Sequence, residues 1–307
     1  MMDDIRRTTF KNPDDERRFH EVYARLRAER LPSPRDEADI DTPLGTAHAF
    51  SWPGTGVPVL LVPGWGATTA MWAPMLAHGF GGRPVHALDL VGDIGLSVQR
   101  QPITAITDYL PWLDVVTDGL RLDRVHVVGS SYGGTLTLLW AGHAPDRVAT
   151  ATLLDPGGLA AIDLRRFITW GVKVFAASVA PLPVRRRAAE RLHARMILDA
   201  DLFRLARLAN LRTSSHDAPD GATALPDDAL RAVTVPTLAL LAEHSPIMDP
   251  AAAAARARAL LSDATVEIVP DAGHGLPADD AELVAGRVTT FLDRHDAAEA
   301  AAPDHAV

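Results

Sequence analysis

The sequence contains no cysteine, which excludes disulfides, thiolate metal sites and cysteine nucleophiles, and leaves the redox compartment unconstrained by sulfur chemistry. It also lacks an apolar run of the roughly 18 residues that a membrane-spanning helix needs. The most apolar stretch, residues 167–184, is interrupted by Lys173, Pro181 and Pro183. The opening MMDDIRRTTFKNPDDERR has no apolar centre of the kind a secretory signal carries, so a cytoplasmic protein with no membrane partner is expected. Positive charge is in deficit: the formal net charge is −9. Proteins that bind nucleic acid concentrate basic charge against phosphates, so no nucleic-acid partner is expected either. One basic cluster, Arg185, Arg186 and Arg187, reads as the solvated start of a helix. The 12 histidines show neither HExxH nor another ligand spacing, and no metal or cofactor is expected.

What is present suits an ordinary globular chain. Of 307 residues, 47% are hydrophobic and 22% charged, enough for a large core in one domain carrying an insertion. Residues 13–31 have helical composition, with Phe19, Val22, Tyr23 and Leu26 on one face, and stop at Pro32. Beyond a proline-rich loop, short apolar runs at 47–52, 57–62, 85–90, 125–128, 149–154, 237–241 and 265–269 alternate with helical stretches near 69–78, 104–120, 132–143, 251–261 and 279–293. That alternation predicts an α/β protein with a mostly parallel central sheet flanked by helices. Because the runs are continuously apolar, the strands are expected to be buried on both faces. Residues 158–235 break the alternation: no convincing strand, several helices rich in Arg, Ala and Leu, and a Pro, Gly and Asp-rich loop at 217–227 that returns the chain to the sheet. We read 1–157 and 236–296 as the core, 158–235 as a helical cap, and the alanine-rich 297–307 as a flexible tail.

The chemistry is concentrated in two places. An apolar strand runs into Gly129-Ser130-Ser131-Tyr132-Gly133-Gly134, and a helix-forming stretch follows at once. This is GxSxG in the strand-to-helix setting of a nucleophile elbow, where small residues permit the sharp turn that lifts the Ser131 hydroxyl above the sheet. Ser130, one position off, points elsewhere. Downstream, the last strand leads into Pro270-Asp271-Ala272-Gly273-His274-Gly275, which puts a histidine after the final strand, in the order Ser then His. A serine hydroxyl is a weak nucleophile until a neutral imidazole takes its proton, and the oxyanion that follows needs fixed donors. The Tyr132 N–H is one. The other is expected from the turn Pro63-Gly64-Trp65-Gly66, with Trp65 N–H first.

These residues resemble the carboxylesterase branch of the α/β hydrolases, in particular the bacterial naproxen-ester-type carboxylesterases. The resemblance rests on Gly64-Trp65-Gly66 with Met71-Trp72, on Leu88-Asp89-Leu90-Val91-Gly92-Asp93 with Ser97, on the elbow, on Pro145-Asp146-Arg147-Val148 and on Ala272-Gly273-His274. It implies the α/β-hydrolase fold with the helical cap inserted between strands 6 and 7. It also implies hydrolysis of a small-molecule carboxylic ester or related acyl substrate through an acyl-enzyme, without a cofactor. Two departures stand out. Pro63 replaces the usual histidine of the oxyanion turn, which leaves the backbone donor intact. Ser245 occupies the position that usually bears the acid of the triad, and a serine cannot hold an imidazolium by charge.

Four acids are candidates for that role. Asp155 stands at the end of the 149–154 strand, between the nucleophile strand and the 237–241 strand. Neighbouring strands lie only about 4.8 Å apart, so an acid on either strand can approach the same histidine. Asp249 is the alternative, although it also fits a helix cap ahead of Pro250. Glu243 is too near its strand to turn, and Asp271 reads as a turn residue. Other chemistries share the Ser and His pair: a C–C bond hydrolase, a thioesterase, a lactonase, or a non-catalytic binding protein that kept the fold and lost the acid. A dinucleotide site built on Gly64-Trp65-Gly66 and Asp89 is disfavoured by Thr69 at the third glycine position and by the bulk of Trp65. Phe167, Trp170, Phe175 and Leu182 suggest either an apolar pocket or the core of the cap.

Overall fold

The computed structural model describes residues 9–33, 35–214 and 223–301. Helix α1 (Pro13–Arg30) precedes the strands β1 (Asp36–Thr42), β2 (Gly45–Trp52) and β3 (Val59–Val62). There follow α2 (Ala73–His78), β4 (Val85–Asp89), α3 (Tyr109–Gly119), β5 (Val125–Ser130), α4 (Tyr132–His143) and β6 (Val148–Leu154). Helices α5 (Leu164–Ser178), α6 (Leu182–Arg191), α7 (Ala200–Arg212) and α8 (Asp227–Arg231) lie between β6 and β7 (Thr237–Ala242). The chain continues through α9 (Pro250–Leu260), β8 (Ala264–Val269), α10 (Leu276–Asp279) and α11 (Ala281–Ala301).

The eight strands run β8-β7-β6-β5-β3-β4-β2-β1 across one sheet, with the two-residue strand Val98–Gln99 paired to β2 as its ninth member. From β8 to β4 every pairing is parallel, while β1 and β2 attach antiparallel at one edge. Each residue of β3, β5, β6 and β7 is buried, as continuous apolarity requires when helices cover both faces of a parallel sheet. One face packs on Tyr109, Trp112, Leu136, Trp140 and Leu230. The other packs on Phe19, Tyr23, Met75, Val284 and Phe291. The apolar face expected of the first helix is the buried one: Phe19, Val22, Tyr23 and Leu26 all point into the core.

Three features differ from the sequence expectation. Strand β1, Asp-Glu-Ala-Asp-Ile-Asp-Thr, was not anticipated because acids have poor strand propensity. It is held by its full register with β2, and its acidic side chains suit an exposed edge that must not recruit other strands. The interval 158–235 is not free of strands: Thr213–Ser214 pairs antiparallel with Thr9–Phe10 as a small ribbon outside the central sheet. Helix α8, within the same interval, packs on α4 and α9 of the core. At the other end, α11 continues to Ala301, so residues 297–301 extend a helix where a tail was expected. Residues 302–307, and 217–222 of the anticipated loop, lie outside the described residues.

Helices α5 to α7 share a small core of Val174, Ala189, Ala194 and Ile197. Of these, α7 leans on α1, where Leu205 and Ala209 join its apolar cluster and Arg25 and Arg30 bond to Asp201 and Asp199. Among the described residues, no helix is long and apolar enough to cross a membrane.

Candidate active site

At the end of β5, Ser131 adopts φ 52° and ψ −116°, a conformation that costs a non-glycine residue on the order of 1–3 kcal/mol unless its surroundings impose it. They do so here. The Ser131 N–H donates to Leu154 O (3.0 Å), and the Ser131 carbonyl accepts from Gly134 N and Gly157 N (3.0 Å each), so the elbow is stapled to the end of β6. The flanking glycines are steric necessities. A Cβ on Gly129 would lie 2.2 Å from Gly133 O, and one on Gly133 would lie 2.2 Å from Val62 O. Only bare backbone lets β5, α4 and the turn after β3 approach this closely.

Opposite the serine, His274 sits in the loop between β8 and α10. Its Nε2 is 3.0 Å from Ser131 Oγ, and its Nδ1 is 2.6 Å from Asp155 Oδ2. The loop is clamped from two sides. His244 N–H donates to Ala272 O (2.9 Å), while Gly273 lies so close under the His193 carbonyl that a Cβ there would come within 1.7 Å of it.

Asp155 follows β6 directly, is fully buried and has φ 41°. Its N–H donates to Leu240 O of β7 (2.8 Å). Besides the imidazole, its carboxylate accepts from Ala242 N (3.1 Å) and from the Ser245 hydroxyl (2.8 Å). Three donors thus compensate a buried charge that would otherwise be expensive. Ser245, which looked like a lost acid, is a donor to the acid on the neighbouring strand. No sequence signal marks that contact, which spans 90 residues.

The other acids are elsewhere. Asp249 is exposed and caps α9, accepting from Ala251 N (2.9 Å) and Ala252 N (3.3 Å). Glu243 accepts from Asp271 N (2.9 Å), and Asp271 is an exposed turn residue at φ 56°. Glu243, His244 and Asp271 are also a group of described residues whose ligating atoms lie within 4.8 Å of one another, as a metal ion would need. Asp89, the acid a dinucleotide site would use, is fully buried and accepts from Tyr23 OH, Thr69 N and Leu96 N.

The turn after β3 lies against the serine: a Cβ on Gly64 would be 3.2 Å from Ser131 Cβ and 3.9 Å from its Oγ. Trp65 N–H has no hydrogen-bond partner among the described residues. The rings of Trp65 and Tyr132 meet edge to face at 5.4 Å, and Tyr132 is backed by Tyr109 at 6.2 Å. Behind the turn sits Asp93, whose carboxyl accepts from Gly66 N (2.6 Å) and Ile94 N (2.7 Å). From sequence, Asp93 stands out only as part of the run Leu88 to Asp93 that carries the resemblance. Burial pushes its pKa from the ordinary 3.8 up to about 7, the two backbone bonds opposing.

That shift has a definite sign. Between about pH 4 and about pH 7 the unfolded chain has released this proton while the folded chain keeps it, so stability falls as pH rises through this window. Asp93→Asn cannot ionise and removes this part of the slope. Urea titrations across the window are expected to show the parent losing more stability than the variant, by on the order of 4 kcal/mol. Parallel pH profiles would contradict the assignment.

Phe167 and Trp170 of α5 bring their rings edge to face with His274, at 6.3 and 6.4 Å. Phe175 and Leu182, grouped with them from sequence, lie away from His274: the Phe175 ring sits under the Arg207 guanidinium of α7 at 5.5 Å, and Leu182 is exposed on α6. Helical spacing explains the division, since residues 167 and 170 share a face that 175 does not.

The family model of the alpha/beta hydrolase fold matches residues 57–281. The uncharacterized carboxylesterase Nap of Bacillus subtilis is 27% identical over 265 residues, covering 83% of this chain and 85% of that protein. Carboxylesterase YbfK of the same organism is 24% identical over 277 residues, covering 90% and 93%. The crystal structure of naproxen esterase from Bacillus subtilis superposes with a TM-score of 0.77 at 24% identity, over 92% of this chain and 99% of that one. With a family match over most of its length and a doubly covered parallel sheet beneath the elbow, the chain belongs to the α/β-hydrolase fold family.

Proposed function

We propose that this protein hydrolyses carboxylic esters through an acyl-enzyme on Ser131, with His274 as base, Asp155 as the acid of the triad and α5 to α7 as a cap over the site. The observation that carries the reading is the continuous chain from Asp155 Oδ2 to His274 Nδ1 (2.6 Å) and from His274 Nε2 to Ser131 Oγ (3.0 Å). Its similarity to the two Bacillus carboxylesterases supports the ester as substrate.

In this reading neutral His274 takes the Ser131 proton at Nε2 as Oγ attacks the ester carbonyl. Asp155 fixes the tautomer through Nδ1–H and stabilises the imidazolium that forms. The N–H groups of Tyr132 and Trp65 meet the oxyanion. His274 then returns the proton to the alcohol oxygen, which leaves, and the acyl group stays on Ser131. Water repeats the sequence, activated by the same histidine, and releases the acid. Phe167 and Trp170 pack edge to face against His274 from the cap and shield part of the imidazole from water.

A fluorophosphonate probe with peptide mapping tests the nucleophile, because only an activated serine reacts quickly. The expected result is one adduct, on Ser131. Folded protein that remains unlabelled, or is labelled elsewhere, would overturn the reading and favour a binding protein. A panel of esters, thioesters, lactones and C–C substrates of graded acyl length then separates ester hydrolysis from the chemistries that share this pair.

A further inference from the structure

Helix α5 has two apolar faces, and only one of them is used by the site. Phe167 and Trp170 turn toward His274. Leu164, Ile168, Val172 and Val179 turn outward, each more than half exposed and Val172 by 63%, and Phe175 lies among them with the Arg207 guanidinium of α7 over its ring at 5.5 Å. Their spacing of four, four, three and four residues puts them in one stripe along the helix. Leu182 and Val184 of α6 extend the exposed apolar surface. A continuous patch of this kind on a chain otherwise rich in surface charge marks a contact surface.

The charge around the stripe is opposite to that of the whole protein. Helices α5 and α6 carry seven basic residues (Arg165, Arg166, Lys173, Arg185, Arg186, Arg187 and Arg191) and one acid, Glu190, in a chain of net charge −9. Among the described residues none of the seven takes part in an ion pair, and Arg186, Arg187 and Arg191 are exposed. An apolar helical stripe bordered by arginines, with aromatic residues at its margin, is the physical pattern of a helix lying in a lipid interface, where apolar burial and attraction to anionic headgroups act together. A second copy of the chain fits less well, because self-pairing would bring the same basic residues against each other.

We propose that the outer face of α5 and α6 docks on an anionic lipid surface, lying in its plane without crossing it. Among the described residues no helix is long and apolar enough to cross a membrane, which does not bear on this mode of contact. The cluster Arg185 to Arg187, read from sequence as a solvated helix start, becomes part of the docking face. Phe167 and Trp170 belong to the same helix, so the contact also brings the mouth of the Ser131 site beside the interface. The proposal does not rest on the ester reading, because its test measures binding.

Cosedimentation of the full chain with sucrose-loaded vesicles tests it. Vesicles of phosphatidylcholine mixed with phosphatidylglycerol are expected to take up the protein, vesicles of phosphatidylcholine alone to take up little, and added salt to weaken the binding. Ile168→Asp with Val172→Asp should abolish uptake. Arg186→Gln with Arg187→Gln should lower the partition coefficient about 25-fold, a factor of roughly five per arginine. Circular dichroism and thermal unfolding establish that each variant is folded. Uptake that ignores lipid charge, or that survives both double variants, overturns the proposal. So does a parent that forms a dimer on gel filtration, loses it on Ile168→Asp and ignores vesicles, which would assign the face to a second copy.

Discussion

Ser131→Ala is expected to lower kcat on an activated p-nitrophenyl ester by on the order of 10⁶-fold, the scale of loss when a triad nucleophile is removed. Ser130→Ala is expected to keep much of the activity. The two serines are adjacent, yet only Ser131 takes the elbow conformation and lies 3.0 Å from His274 Nε2. Ser130 closes β5 and is buried in the sheet. Residual turnover in Ser131→Ala at a rate close to the parent's would refute the mechanism. Loss in both variants would point to a damaged elbow, which near-ultraviolet circular dichroism detects.

The second large effect concerns the acid. Asp155→Asn is expected to lower kcat by up to about 10⁴-fold, while Asp249→Asn leaves it near the parental value. An amide at residue 155 presents a donor to His274 Nδ1 and removes the charge that stabilises the imidazolium. The ring then carries its proton on Nε2 and cannot accept the Ser131 proton. At residue 249 the carboxylate accepts from two backbone N–H groups at the start of α9, and asparagine caps a helix about as well as aspartate. Steady-state kinetics on both variants decide the matter. If Asp249→Asn is crippled and Asp155→Asn is not, the assignment is wrong; if both are active, a Ser and His dyad is sufficient.

Much of this was legible in the chain because the relevant physics is local. A buried parallel strand needs continuous apolarity, and residues 59–62 and 238–242 have it. A sharp strand-to-helix turn needs small residues, and Gly129, Gly133 and Gly134 supply them. β1 escaped notice because its hydrogen bonds come from β2 and four of its seven residues are acids that face water, which masks the alternation of Ala38, Ile40 and Thr42 toward the protein.

The sequence by itself determined the succession of the buried parallel strands and the helices between them, the elbow around Ser131 and a histidine after the last strand, each carried by a few consecutive residues. Between Asp155 and Asp249 it could only rank, since both stand near strand ends on the side of the sheet where His274 must lie. Tertiary structure alone decided that Asp155 meets Nδ1, that Ser245 serves Asp155 as a donor, that Asp93 braces the turn at Gly66, and that α5 divides its apolar residues between His274 and the surface. These contacts join positions far apart in the chain, so their energies depend on how sheet, loop and inserted helices pack together, and no local pattern of residues encodes that distance.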